Sequence, residues 1–223
     1  MLNLTAFIPI RKGSERVHRK SLRPFGGTTL LDIKIEVLKK VQKIDRIVVA
    51  TNCQESIQKA KKHGVDWILR DDYYCSSKIT ASEWAVHMAD IIEANNILCA
   101  SPTAPFIKES TYDNFIETFF INETPLHIKY FDSLIGTHYL YEHCWFKGKP
   151  LNYSIEESPP SQLLPPIQVI NPALTLIKRD SIYKTKNMIG QNPKFYELGL
   201  IEGWDIDSLE EFQIAESIFN TGN

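Results

Sequence analysis

A mostly parallel α/β sheet flanked by helices, with one antiparallel arm, is the fold class this 223-residue sequence predicts. Three observations carry that expectation. Short apolar runs alternate with helix-period segments as far as residue 121, and the alternation fails from about 125 to 170, where aromatics and prolines crowd together. It resumes with "NPALTLIK" (171–178) and "GWDIDSLEEFQIAESIF". Strands alternating with helices imply βαβ crossovers and parallel pairing. A composition of 43% hydrophobic and 23% charged residues with a net charge of -2 is that of one globular domain, here 1–223.

"LTAFIPI" (4–10) is a buried strand, and Leu31, Ile35, Leu38 and Val41 then recur at helical spacing, so 29–42 is an amphipathic helix. "DRIVVAT" (45–51) is a β-branched strand, "QESIQKAKKHG" a helix stopped by Gly64, and "VDWILR" (65–70) a third strand. Helix is expected over 80–94, strand over 96–100 and helix over 110–121. The aromatic stretch 125–170 reads as an antiparallel insertion or arm with a turn at Lys147-Gly148-Lys149.

In such a sheet, ligands bind beyond the carboxyl ends of the strands. Directly after the first strand stands "RKGSERVHRKSLR", where Arg11, Lys12, Arg16, His18, Arg19, Lys20 and Arg23 face only Glu15. A near-neutral chain that gathers cations on one glycine-containing loop presents a site for a polyanion, because turned backbone N–H groups and side-chain cations both favour phosphate. The loop is neither a Walker A loop nor a dinucleotide fingerprint, since G-x-x-x-x-G-K-[ST] and G-x-G-x-x-G are absent. A nucleic-acid partner calls for a broader basic face. Near the other end, Asp205 and Asp207 alternate across one extended residue, so both carboxylates can point one way and suit Mg²⁺. Asp207 with Glu210 also reads as a capping-box-like helix start.

These blocks together resemble the acylneuraminate cytidylyltransferases, the CMP-sialic acid synthetase family. "IPIRKGSERVHRKSL" is similar to A-R-G-G-S-K-G-(I/L)-P-x-K-N-(I/L), "TASEWAV" to T-A-S, and "SPTAP" to Q-P-T-S-P. "NPALTLIK" is similar to N-G-A-I-Y-I, and "WDIDSLEEFQIAE" to I-D-I-D-(S/T)-x-x-D-(L/F)-x-x-A-E. The blocks stand in family order. The resemblance implies a Rossmann-like nucleotidyltransferase fold that moves CMP from CTP to an acidic α-keto acid sugar, such as a sialic-acid-like nonulosonate, and releases pyrophosphate.

By matching position, the resemblance implies that Arg11, Lys20 and Asp207 are catalytic and that Asp205 and Asp207 hold Mg²⁺. Arg11, Gly13, Ser14, Lys20, Ser21, Thr80, Ala81, Ser82 and Ser101 would bind the nucleotide, and Thr103, Gln162 and Asn171 the acceptor. The 125–170 arm would serve the sugar pocket and a homodimer. The chain departs from the family pattern at Arg16 for glycine, Asn52 for the aspartate of S-T-D and Ser101 for glutamine. It departs again at Phe106-Ile107 for arginine, at Pro160-Ser161 for the arginine of P-R-x-Q-x-L-P-P, and at Pro172 for the glycine of N-G-A. A cytidylyltransferase for another acceptor and a non-catalytic nucleotide-binding relic are the rival readings.

Other constellations carry less. His138, His143 and Cys144 lack further ligands for a metal, Asp71 and Asp72 read as a solvated turn or cap, and Ser14 has no evident His/Asp partners for hydrolysis. Tyr139, Tyr141, Trp145 and Phe146 could stack a base or pack against a partner subunit. Four scattered cysteines without C-x-x-C, a leader without a basic start, and no apolar run near ~18 residues point to a cytoplasmic protein off the membrane.

Overall fold

The structure, a computed structural model, describes residues 2–121 and 131–222. In chain order the elements are β1 (Leu4–Ile10), β2 (Pro24–Phe25), β3 (Thr28–Thr29), α1 (Leu30–Lys40), β4 (Arg46–Thr51), α2 (Gln54–His63), β5 (Asp66–Leu69), α3 (Ala81–Ile91), β6 (Asn96–Ala100) and α4 (Glu109–Phe120). They continue with β7 (Ser133–Leu140), β8 (Trp145–Phe146), β9 (Lys149–Pro150), β10 (Ile167–Lys178), α5 (Arg179–Thr185), β11 (Pro193–Glu197) and α6 (Leu209–Asn220).

Seven strands form one sheet in the order β11-β7-β10-β6-β1-β4-β5. β1 runs parallel to β4 and β6, and β4 to β5, which brings the carboxyl ends of all four to one edge. β10 is antiparallel to both neighbours, and β11 is parallel to β7. β1 lies between two helical layers, which is why it reads as one apolar run rather than an alternating strand. Leu4, Ala6, Ile8 and Ile10 pack with Leu31, Ile35 and Leu38 of α1 and Phe115 of α4. Phe7 points the other way, into a cluster with Ala85 and Met88 of α3. Gly64 ends α2 in the left-handed region at φ 69, as the sequence predicted.

A third apolar cluster sits beyond the sheet edge and positions the site. Val17 of the basic loop, Phe25, Leu30, Phe106, Ile206, Phe212 and Ala215 are all buried there. The β2–β3 turn that enters it has Gly26 and Gly27 at φ 55 and 79, the conformation of a two-residue hairpin. A Cβ on Gly26 would also stand 2.4 Å from Phe219.

The segment expected to form an arm over 125–170 divides differently. Residues 125–130 lie outside the described residues, and Ser133–Leu140 is a buried core strand rather than arm. Its polar positions hid it: buried Ser133 accepts from the Gly190 N–H at 2.9 Å, and buried Thr137 donates to the Tyr196 carbonyl at 3.4 Å. β10 begins at Ile167, ahead of the expected 171, and its register shifts between Asn171 and Thr175. Pro172, which has no N–H to offer a ladder, falls in that bulge. What projects from the sheet is 141–166, with the small β8–β9 hairpin turning at Lys147 and Gly148, both at positive φ.

Candidate active site

The basic loop is held in place by apolar packing and by one polar relay. Val17 is 1% exposed and roots the loop between Phe25 and Ile206. The Lys12 N–H donates to Asn52 Oδ1 at 2.8 Å, and the Asn52 amide donates to Asp72 at 2.8 Å. This stitches together the segments that follow β1, β4 and β5. It also gives a physical reason for asparagine at 52, because an aspartate there could not donate and would face the Asp72 carboxylate. Gly13 is exposed, and a Cβ built on it would meet nothing within 4 Å. The fold itself therefore does not require glycine there.

Lys20 crosses from the loop to the carboxylates. Its Nζ donates to the Ile206 carbonyl at 2.5 Å and lies 3.3 Å from Asp207 Oδ1. Arg16 reaches the same Asp207 oxygen at 2.7 Å. Asp205 differs: it lies beside Thr103, whose carbonyl accepts from the Ile206 N–H at 2.8 Å, and its Oδ1 is buried with no hydrogen-bond partner among the described residues. Burial pushes its carboxyl above the ordinary carboxylate range, and neighbouring Asp207 adds to the effect. Ser101 bonds the Thr103 hydroxyl at 2.7 Å.

Asp207 is not the cap of α6, contrary to the sequence expectation. Ser208 is the N-cap of α6, and Glu211 rather than Glu210 closes the capping box, accepting from the N–H groups of both Asp207 and Ser208. Capping occupies the next serine, so the Asp207 side chain remains turned to Lys20 and Arg16.

Two cavities meet at Pro9, Ile10 and Arg11. One, of about 280 Å³, is lined by Arg11, Ser14, Arg16, Lys20, Ser21 and Thr103. The other, of about 360 Å³, lies past β5 and is lined by Arg70, Tyr74, Cys75, Thr80, Ala81 and Trp84. Arg70 was missed in the sequence. It is 4% exposed, its Nη2 donates to the Tyr74 carbonyl, and its Nε is buried without a partner. Burial lowers its pKa. A buried guanidinium with an orphaned N–H at a cavity wall is short of an acceptor. Its signal was an arginine at the carboxyl end of an apolar strand, where such sheets bind ligands. Behind it, Tyr74 stacks on His87 with ring centroids 3.7 Å apart, which fixes the wall.

Thr80 is the N-cap of α3 in a capping box with Glu83, so its hydroxyl is already engaged. The N–H groups of Ala81 and Ser82 start that helix and have no intrahelical acceptor. Asn171 is 2% exposed: its amide donates to the Gly203 carbonyl at 2.6 Å and its Oδ1 accepts from the Ala173 N–H. Both ends of that side chain are spent on positioning the chain two residues before Asp205, so the structure turns Asn171 to backbone. Gln162 sits exposed on a 3₁₀ turn, Ser161–Leu163, in the projecting segment. Phe106, which stands where the resemblance has arginine, packs against the Val17 root. His143 bonds the Pro159 carbonyl, and among the described residues no group of three metal-ligating side chains forms.

A profile of the cytidylyltransferase family matches residues 5–142. The chain belongs to that family. It is 28% identical over 130 residues to a pseudaminic acid cytidylyltransferase of Campylobacter jejuni, a match covering 56% of each protein. It is 26% identical over 110 residues to an N-acylneuraminate cytidylyltransferase of Escherichia coli O18:K1:H7, covering 49% of this chain and 26% of that one. The matched segment thus spans little more than half of the first relative and about a quarter of the second. In fold it is similar to a CMP:2-keto-3-deoxy-manno-octonic acid synthetase solved with CTP, at a TM-score of 0.69 and 14% identity over 99% of both chains. No helix among the described residues is long and apolar enough to cross a membrane.

Proposed function

We propose that this cytidylyltransferase-family chain transfers CMP from CTP to an acidic α-keto acid sugar of the nonulosonate type and releases pyrophosphate. The observation that carries the reading is the pair of cavities joined at Arg11, one walled by Arg70, whose Nε has no partner among the described residues, and the other by Lys20 and Arg16. Cytosine presents two adjacent acceptors, O2 and N3, to a guanidinium, whereas uracil has a donor at N3. Arg70 with the start of α3 therefore suits the base, and Arg11, Ser14, Lys20 and Ser21 suit the phosphates.

The anomeric hydroxyl of the acceptor attacks the α-phosphorus. An O–P bond forms as the bond to the α–β bridging oxygen breaks, pyrophosphate leaves with that electron pair, and the hydroxyl proton is released. Arg11 and Lys20 neutralise the charge on the phosphates and hold them for in-line attack, the larger part of catalysis in such transfers. Asp205 and Asp207 fit Mg²⁺, since the buried, unpartnered Oδ1 of Asp205 beside a second carboxylate is an oxygen lacking a cation. Mg²⁺ held there would supply charge neutralisation at the phosphates. The Thr103 carbonyl holds the backbone next to Asp205 by accepting from the Ile206 N–H. Exposed Trp145, Phe146, Leu151 and Ile155 on the projecting segment suit the face of a homodimer.

Pyrophosphate release with CTP, Mg²⁺ and a panel of acceptors tests the reading. Turnover is expected with nonulosonic acids, and turnover confined to neutral sugars or sugar phosphates would overturn the acceptor class. Asp205→Ala should abolish it, and full activity in that variant would remove the metal assignment.

A further inference from the structure

Four cations of the loop already face a carboxylate of this chain. Arg11 lies 3.6 Å from Glu15, Arg19 pairs with Glu55, and Lys20 and Arg16 share Asp207 Oδ1 at 3.3 and 2.7 Å. The two site carboxylates are served unequally. Asp207 holds two cations, and Asp205 Oδ1 holds no partner at all. A divalent ion arriving alone meets a carboxylate pair whose more exposed member, Asp207, already faces two positive charges.

Arg16 is the exchangeable member of that pair. The Lys20 side chain is 11% exposed and also bound to the Ile206 carbonyl, so it is fixed. The Arg16 side chain is 67% exposed, and Asp207 is its bonded partner across the site. Its backbone is nevertheless anchored, because the next residue is the buried root Val17. A long side chain on a fixed base can swing between acceptors within reach, and it lines the same cavity as Arg11, Ser14 and Lys20. Guanidinium binds phosphate bidentately and is held by an exposed carboxylate only weakly. An incoming triphosphate therefore competes well for it.

We propose that Arg16 couples metal and nucleotide binding: it sits on Asp207 until a nucleotide arrives and then passes to the phosphates, which takes one of two competing cations off Asp207 and so favours a divalent cation there. The inference rests on the cytidylyltransferase reading. It makes Arg16 a phosphate-contacting and positioning residue. Because coupling is reciprocal, bound metal must favour nucleotide by the same factor as nucleotide favours metal.

The experiment uses the full chain, wild type and Arg16→Gln, which removes the charge from an exposed side chain without touching the core. Mn²⁺ binding to nucleotide-free protein is followed by electron paramagnetic resonance, and CTP binding is measured separately in EDTA. Arg16→Gln is expected to bind Mn²⁺ at least about fivefold more tightly and CTP at least about fivefold more weakly, the lower range of measured couplings. Asp207→Asn should remove the gain in Mn²⁺ affinity. Unchanged Mn²⁺ affinity, unchanged CTP affinity, or a gain that survives Asp207→Asn would each overturn the exchange. If wild type binds CTP and Arg16→Gln changes neither affinity, only this inference falls. If wild type binds no CTP, the cytidylyltransferase reading falls with it.

Discussion

The two cavities on either side of Arg11 are built by opposite means. On the β5 side the polar groups are fixed in place: Arg70 is almost fully covered, exposed Thr80 is locked in a capping box, and half-buried Tyr74 is clamped by the ring of His87. On the loop side the charges are largely exposed and paired with one another, and the rigid parts are Lys20 and the Val17 root. The difference separates two tasks. A preformed wall with an unsatisfied donor rejects a ligand that lacks the matching acceptor, because the mismatch leaves a buried group unpaired. Exchangeable ion pairs cannot discriminate finely, but they can take up three or four negative charges while keeping four cations paired beforehand.

Three changes break or sharpen that contrast. The largest effect is expected at Lys20→Ala, which removes a fixed cation from the phosphate side. kcat should fall about 10²- to 10³-fold, the usual loss for one transition-state charge contact, while the preference for CTP over UTP persists. A steady-state comparison of the two nucleotides reads both. Arg70→Met acts in the reverse sense. KM for CTP should rise about 10- to 100-fold, as expected for a lost charge-assisted contact, with a smaller change in kcat and a collapse of CTP preference.

The third change lies in the core between α1 and α4. Lys34 of α1 is fully buried, and its Nζ donates to the Ala104 carbonyl and the Tyr112 hydroxyl, each at 2.8 Å. Burial lowers its pKa from 10.5 to about 7, against the opposing pull of Asp205. Between those values the folded protein binds fewer protons than the unfolded chain, so stability rises with pH from about 7 towards 10.5. Lys34→Met should erase about 2 kcal/mol of that rise between pH 7 and 9. Urea denaturation at the two pH values measures it, and equal slopes in both proteins would show that Lys34 does not titrate there.

The readable parts of the sequence were those where one physical signal dominates. β1 declared itself because both faces are buried, α2 ended where Gly64 supplies a left-handed cap, and the loop stood out by charge alone. The parts that stayed hidden owe their place to tertiary partners. Ser133 and Thr137 look like loop or edge residues until Gly190 and Tyr196 arrive from elsewhere in the chain to satisfy them. Lys34 interrupts the apolar face of α1, and Ala104 and Tyr112 receive it inside. At the site, the loop cations and the Asp205–Asp207 pair were legible as types and spacing. Arg70 was not, because its meaning depends on a buried Nε that no local pattern reveals. Asn171 shows the reverse: a motif residue marked for the acceptor that spends its amide on Gly203 and Ala173.

The division between a fixed base wall and an exchangeable phosphate loop is tested most directly by thermal stabilisation. Wild type, Arg70→Met and Lys20→Ala would each be melted with CTP, UTP, ATP and GTP, with and without Mg²⁺, since a ligand raises Tm in proportion to its occupancy. Wild type should respond to CTP selectively and more strongly with Mg²⁺, Lys20→Ala should respond more weakly with the same selectivity, and Arg70→Met should respond to CTP and UTP alike. Undiminished CTP selectivity in Arg70→Met, or an equal response of wild type to all four nucleotides, would contradict it.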